Sequence, residues 1–244
     1  MKLSILIPVF NESKTIEKII KKVKEQEIKN IQIIIVDDYS TDGTREILKK
    51  KLFKKVDKII YHNKNKGKGA AIRSAQKKVV GNIVIIQDAD LEYNPKDYKK
   101  LIKPIILGKT KVVYGSRVPK DNRYNTKKFT SLYRIFFNHM LTILSNILNN
   151  QKLTDAHTCY KVFDAKLFKR LKLKEDDFAF CPEVTSRVSR LNIDIIEKKI
   201  RYKGRTSTEG KKIGIIDGFR AIFVLLKLKI FSWRLDIINK KYLH

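Results

Sequence analysis

Ile83-Val84-Ile85-Ile86-Gln87-Asp88-Ala89-Asp90-Leu91-Glu92 decides how the chain is read. Four consecutive branched aliphatics with no polar alternation predict a strand buried on both faces, as in a parallel sheet covered by helices. Carboxylates follow at once, at positions 88, 90 and 92. Strands in such sheets deliver their carboxyl ends to the crevice where ligands bind. Two carboxylates two residues apart can face one hard cation of the Mg²⁺ or Mn²⁺ kind, with Glu92 as a third oxygen donor. A solvated acidic turn that caps the next helix is the plainer alternative.

The same rhythm extends upstream. Lys2–Val9, Ile31–Val36 and Asp57–Tyr61 read as strands. Between them, helical spacing runs through Glu12–Gln26 (Ile16, Ile19, Ile20, Val23), Thr41–Leu52 and Gly67–Val79. Strand and helix in alternation predict an α/β fold with a largely parallel central sheet flanked by helices. Downstream, Lys111–Tyr114, Tyr160–Phe163 and Ile193–Tyr202 read as strands, and Phe129–Leu148, Glu183–Leu191 and Ile213–Trp233 as helices. No Pro/Gly/Ser-rich linker separates the halves. The expected organisation is one catalytic domain over 1–212 and a C-terminal amphipathic helical extension over 213–244.

Each early strand ends in residues suited to a nucleotide. Pro8-Val9-Phe10-Asn11-Glu12 closes the first, with backbone to line a base pocket and Glu12 near a ribose. Val36-Asp37-Asp38-Tyr39-Ser40-Thr41-Asp42-Gly43-Thr44 closes the second. A carboxylate there can accept from a base or a ribose hydroxyl; Asp38 is the candidate for the base and Asp37 for the ribose or the loop, while Ser40, Thr41 and Asp42 suit a helix cap equally well. Asn65-Lys66-Gly67-Lys68-Gly69-Ala70 opens the third helix, where Gly67 and Gly69 permit close backbone approach and a helix N-terminus favours anions. The first turn lacks the glycines of a dinucleotide fingerprint, and no P-loop is present.

Composition bounds the rest. A hydrophobic share of 43% argues against disorder. The formal net charge of +29, from 54 Lys+Arg against 25 Asp+Glu, favours anionic partners, though lysines on solvated faces explain it as well. Two cysteines, Cys159 and Cys181, exclude a disulfide framework and point to free thiols. The opening MKLSILIPVF turns polar too soon for a secretory leader, and no apolar run reaches the ~20 residues of a spanning helix. The expected location is cytoplasmic, with peripheral attachment to the cytoplasmic face of a membrane.

Taken in order, PVFNE, VDDYSTDGT, NKGKGAA and DADLEY resemble family 2 glycosyltransferases, whose donor domain has the GT-A (nucleotide-diphospho-sugar transferase) fold. Gly115-Ser116-Arg117, Thr154-Asp155 with Cys159-Tyr160-Lys161-Val162-Phe163, Pro182-Glu183, and Tyr202-Lys203-Gly204-Arg205-Thr206 with Glu209-Gly210-Lys211-Lys212-Ile213 narrow the resemblance to the polyprenyl-phosphate sugar transferases, of which dolichol-phosphate mannose synthase is the best-known member. The resemblance spans residues 2 to 226. It implies a metal on Asp88, Asp90 and Glu92, and a nucleotide-sugar donor held by Pro8, Phe10, Glu12, Asp37, Asp38, Gly67, Lys68 and Ala89. It also implies Arg205 and Lys211 closing over the diphosphate, and Arg117 with Arg134 on the phosphate of a polyprenyl-phosphate lipid acceptor. Asp88, Asp90, Arg117 and Arg205 are thus the expected catalytic set. Glu92 stands where these enzymes often have Gln, Ile200 where Pro is common, and His157 where Glu is common.

The implied reaction is inverting displacement of a hexose from a GDP-mannose or UDP-glucose type donor. The acceptor phosphate is already anionic, so no base is needed. A family 2 enzyme acting on a glycan hydroxyl would need one, with Asp155 or Glu183 as candidates. A sugar-nucleotide-binding module without activity is a further alternative. Nucleic acid is not an expected partner, because aromatics do not interleave the basic runs. A membrane surface is expected, through apolar helix faces with basic neighbours, and a membrane-protein partner is conceivable.

Overall fold

A computed structural model describes residues 1–118, 132–205 and 215–230. Seven strands form one sheet in the order β3-β2-β1-β4-β6-β5-β7. They are β1 (Leu3–Val9), β2 (Ile31–Asp37), β3 (Lys58–Tyr61), β4 (Ile83–Ile86), β5 (Val112–Ser116), β6 (Lys161–Asp164) and β7 (Ile195–Lys199). β1 pairs in parallel with β2 and β4, and β2 with β3. The strands expected from continuous apolar runs are therefore present and parallel.

Only β6 runs backwards among these strands, antiparallel to β4 and β5, with Tyr114 opposite Lys161 and Val112 opposite Phe163. The cause lies just before it. α5 (Leu132–Asn149) follows β5, and the loop after α5 is tied to the carboxyl end of β5 by Asp155 and Arg117. The chain thus re-enters the sheet at its carboxyl edge and must descend. This reversal brings residues 154–160 beside the end of β4.

Alternate strand residues feed two cores. Leu6, Ile34, Val36, Val84 and Ile86 pack with α3 (Lys68–Gln76), α6 (Ala165–Arg170) and α7 (Phe180–Arg190). Ile5, Ile7, Ile33, Ile35 and Ile85 pack with α1 (Ile16–Lys24) and α4 (Tyr98–Ile106) on the other face. The period of two in a strand makes this division automatic. α4 has no counterpart in the sequence reading: its apolar set is short (Tyr98, Leu101, Ile102), and Pro104 interrupts the pattern. The helix expected over Thr41–Leu52 is an α-turn, α2 (Thr44–Ile47), that widens into a π-turn over Leu48–Leu52.

α8 (Ile215–Ile230) lies on α5 and α7, burying Ala221, Val224, Leu225 and Leu228. Its other side exposes Phe219, Phe223, Leu226 and Ile230, and α5 exposes Phe136, Met140, Ile143 and Ile147. Both sets follow i, i+4, i+7, i+11, which is one stripe on each helix. Phe137 and Phe219 meet edge to face, 6.4 Å between centroids, where the helices touch.

Candidate active site

The carboxyl ends of β1, β2, β4 and β5 carry the polar groups. Three residues just past these ends, Asn11, Tyr39 and Leu91, have φ of 51°, 68° and 66°. Left-handed backbone is costly for a residue such as Leu91 and collects at functional sites. Leu91 sits between Asp90 and Glu92, so the left-handed turn falls inside the acidic run.

Arg205 ties that run to β1. Its guanidinium donates to Glu12 Oε1 and Oε2 at 3.1 and 2.8 Å, and to the Asp90 carbonyl at 3.0 and 2.7 Å. Its backbone N–H donates to Glu92 Oε1 at 2.7 Å, and the Tyr202 hydroxyl donates to Glu92 Oε2 at 2.9 Å. The Lys203 N–H reaches the Glu92 carbonyl at 2.9 Å. Residues 202–205 therefore form a strap over the acids, and Glu12, Asp90, Glu92 and Arg205 meet in one cluster. Tyr202 opens one of the segments that carry the family resemblance, but it was not among the expected site residues.

Asp88 faces a different cation. Lys68 Nζ stands 2.5 Å from Asp88 Oδ1 and 2.8 Å from Cys159 Sγ. Burial opposes the charge on Lys68, but Asp88 outweighs it and the ammonium is retained. Burial and Asp88 push the Cys159 thiol up, so it stays protonated. Asp90 is the perturbed acid: burial, then the charges of Asp88 and Glu92, raise it to about 7. A carboxyl pushed up by two like neighbours is one that a dication would return to its ionised form.

The donor set suits such an ion. Asp88 and Asp90 supply hard oxygens, but among the described residues no three His, Cys, Asp or Glu are grouped to hold a metal ion, and the Glu92 oxygens are taken by Tyr202 and Arg205. A cation here would keep positions open for other oxygen ligands, as Mg²⁺ does.

Asp37 and Asp38 point inward, buried at 0% and 3% exposure. Asp38 is engaged by the loop before α3, accepting from the Lys66 N–H at 2.9 Å and the Gly67 N–H at 2.7 Å and pairing with His62 Nδ1 at 2.6 Å. Asp37 Oδ2 meets Arg45 Nε at 2.5 Å, while its buried Oδ1 has no hydrogen-bond partner among the described residues. Arg45, absent from the sequence candidates, also lies over the rings of Tyr39 and Tyr61 at 5.1 and 5.6 Å. Pro8 and Phe10 are half-buried at the end of β1, and Ala89 is buried between the two acids.

The glycines of the third helix do make room for backbone, but the backbone is the chain's own. A Cβ on Gly67 would collide with the Asp176 carbonyl, and one on Gly69 with the Glu175 carbonyl. Gly67 also has φ of 93°. Gly69→Ala is expected to cost about 1–3 kcal/mol, because no rotamer relieves a backbone clash. A thermal melt together with faster amide exchange over 175–177 checks it.

Arg117 lies at the end of β5 in a buried fork. Its Nε and Nη2 donate to Asp155 Oδ2 and Oδ1 at 2.7 and 2.8 Å, and its backbone N–H to Oδ2 at 3.1 Å. Burial would raise Asp155, but the guanidinium wins and holds it at about 2. The Arg117 plane lies 5.3 Å from the Tyr202 ring, which links this pair to the strap. Lys161 secures the loop from below: wholly buried, it donates to the carbonyls of Ala156 (3.0 Å) and Thr158 (2.5 Å) and sits 4.1 Å from the Tyr114 ring centre. Lys161→Met should lower stability by about 1–3 kcal/mol, since two buried carbonyls lose their donor; an unchanged melting temperature would count against this clamp. His157 in the same loop is pushed down to about 4, by burial and then by Lys161, and stays neutral.

Glu183 is also committed. Its oxygens accept from the N–H groups of Lys174 (2.8 and 3.0 Å) and Glu175 (2.9 Å), and from Arg187 Nε at 2.8 Å. Lys211 and the side chain of Arg134 lie outside the described residues.

A sequence model described as Glycosyl transferase family 2 matches residues 4–172. The UDP-N-acetylglucosamine–dolichyl-phosphate N-acetylglucosaminyltransferase of Methanococcus voltae is 28% identical, over 93% of this chain and 95% of its own. The dolichol-phosphate mannosyltransferase of Pyrococcus furiosus is 32% identical, over 53% of this chain and 37% of its own. Among solved structures, glucosyl-3-phosphoglycerate synthase of Mycobacterium tuberculosis, in complex with Mn²⁺, uridine diphosphate and glucosyl-3-phosphoglycerate, superposes with a TM-score of 0.64 at 16% identity. That match covers 93% of this chain and 79% of the other and shows the same GT-A fold.

Proposed function

The chain belongs to glycosyl transferase family 2, and from that premise we propose that it moves a hexosyl unit, with inversion, from a nucleoside-diphosphate sugar to a polyprenyl phosphate. One observation carries the choice of acceptor. Both carboxylates named as base candidates for a hydroxyl acceptor are spent: Asp155 is held at about 2 by Arg117, and Glu183 anchors residues 174 and 175. A phosphate oxygen needs no base. It attacks the anomeric carbon, the bond from that carbon to the diphosphate breaks, and the electron pair leaves with the nucleoside diphosphate.

The chain's own residues then have to orient and neutralise. Arg117, fixed in one plane by Asp155, presents the rest of its guanidinium to the acceptor phosphate, with Arg134 as a second cation from α5. Lys68 and Arg205 stand beside the acids and meet the charge that develops on the diphosphate, joined by Lys211. Glu12 faces the nucleoside, while Asp37 and Asp38 shape its pocket from behind, Asp37 by holding Arg45 and Asp38 by holding Lys66 and Gly67. Mg²⁺ or Mn²⁺ would be held by Asp88 and Asp90, with Glu92 beside them, and would supply Lewis-acid charge at the diphosphate.

A lipid acceptor places the protein at a membrane. No helix among the described residues is long and apolar enough to cross one. The paired stripes of α5 and α8, with Arg220, Lys227 and Lys229 on α8, suit docking on its surface.

Acceptor choice tests the reading. With one donor, a short polyprenyl phosphate should be glycosylated and the matching polyprenol should not. Transfer to the polyprenol at a similar rate would contradict it.

A further inference from the structure

A concavity of about 730 Å³ lies along the outer flank of α3 and reaches the loop before it, where the backbone of Lys66 is held by Asp38. Lys64 and Lys66 line it from the loop before α3, Arg73 and Lys77 from the helix, and Lys169 and Lys172 from the end of α6 and the turn beyond. Among the described residues Asp176 is the single acid on its wall, and it is already paired with Arg73. None of the five lysines forms an ion pair with a described carboxylate. All five are solvent-exposed.

Five ammonium groups around one hollow, with no carboxylate partner among the described residues, repel one another. A ligand with several negative oxygens relieves that repulsion, and the compact lysine charge suits phosphate.

The position of the hollow selects where that phosphate comes from. Asp176 on its wall is flanked by Glu175 and Asp177, and these two acids are tied to α8. Lys227 Nζ lies 3.6 Å from Glu175 Oε1, and Arg220 Nη1 lies 2.5 Å from Asp177 Oδ2. Arg73 Nη1 donates to the Glu175 carbonyl at 2.5 Å and joins the two. The basic hollow is therefore continuous with the helix that exposes Phe219, Phe223, Leu226 and Ile230. An apolar stripe beside a cluster of lysines matches the two layers of a membrane surface, acyl chains and charged headgroups.

We infer that this hollow takes the phosphate headgroups of anionic lipids at the edge of the α5–α8 face, through lysine side chains that have no part in donor or acceptor binding. The inference rests on that face being the membrane contact.

The test is vesicle flotation of the full chain at ~150 mM salt, where long-range attraction is screened. Phosphatidylcholine vesicles are compared with vesicles that also contain phosphatidylglycerol. Lys169→Glu/Lys172→Glu should keep the binding to neutral vesicles and lose roughly tenfold or more in affinity for anionic ones. Lys18→Glu/Lys22→Glu, on α1 across the sheet, makes the same change in net charge and should bind both as wild type does. Phe219→Ser/Phe223→Ser should weaken binding to both vesicles. Equal losses from the two lysine pairs would overturn the inference, since diffuse charge would then suffice. So would a hollow variant that floats normally with anionic vesicles but loses affinity for single-stranded RNA at the same salt. Wild-type flotation by the Phe variant, with loss by the hollow variant, would sink the α5–α8 reading and leave the hollow as the lipid contact. No flotation of the wild type with either vesicle would overturn both.

Discussion

Asp90→Asn should lower sugar transfer by about a thousandfold while the protein stays folded. Asn keeps the shape and leaves the Asp90 carbonyl, which Arg205 uses, untouched. What it removes is one of the two charges assigned to the cation. The same change should stabilise the metal-free protein at neutral pH, which separates loss of function from loss of fold. Asp90 is raised to about 7 by burial and by its acidic neighbours, against an ordinary value of 3.8. The folded state therefore binds this proton more tightly than the unfolded state, and stability falls as pH rises from about 4 to about 7. The loss is at most ~4 kcal/mol for a shift of this size. Asn carries no charge and escapes it. Mn²⁺ competes with that proton, so its upward shift of the wild-type melting temperature should grow from pH 5 to pH 8 and vanish in the variant. A normal transfer rate in Asp90→Asn at saturating metal would remove Asp90 from the mechanism.

Asp155→Ala should cost about 3–5 kcal/mol, the largest stability effect expected here, because it leaves the Arg117 charge buried and alone. For a chain of this length the melting temperature should fall by roughly 10 °C. The pair also makes the protein acid-sensitive. Asp155 sits at about 2 when folded, so its contribution is complete above 3.8 and is lost as pH falls toward 2. A double change, Arg117→Met/Asp155→Leu, replaces the pair with apolar volume and should recover most of the stability. Transfer to lipid phosphate should stay lost in that double variant. Recovery of both stability and transfer would make the pair purely structural.

The parallel half of the sheet was legible because β1, β2 and β4 are uninterrupted apolar runs, a pattern set by local burial. The direction of β6 was not legible. It depends on where α5 hands the chain back, which is fixed by an ion pair between residues 38 apart. α4 escaped notice because nine residues with an internal proline give little periodicity. At the site, the acids ending β4 and the distant Arg205 were readable as charges, and the structure sets Arg205 against Glu12, Asp90 and Glu92. What each charge touches was harder to read. Gly67 and Gly69 signalled close approach correctly, but nothing local says that the approaching backbone is residues 175 and 176. Asp155 and Glu183 read as possible bases until their partners were placed, since a carboxylate's chemistry is set by neighbours that lie far away in the chain. Arg45 belongs to no acidic or glycine-rich motif, and Tyr202 opens a segment quoted only for its basic residues, so contacts alone show what each does.

The most direct measurement follows radiolabelled sugar from a panel of GDP- and UDP-sugars into the organic phase, with a short polyprenyl phosphate present, with and without Mn²⁺ or Mg²⁺. Metal-dependent label in the lipid fraction from at least one donor is the predicted result. Metal-dependent cleavage of a donor with the label remaining in water, or appearing only on hydroxyl acceptors, would contradict the assignment of a lipid phosphate as acceptor.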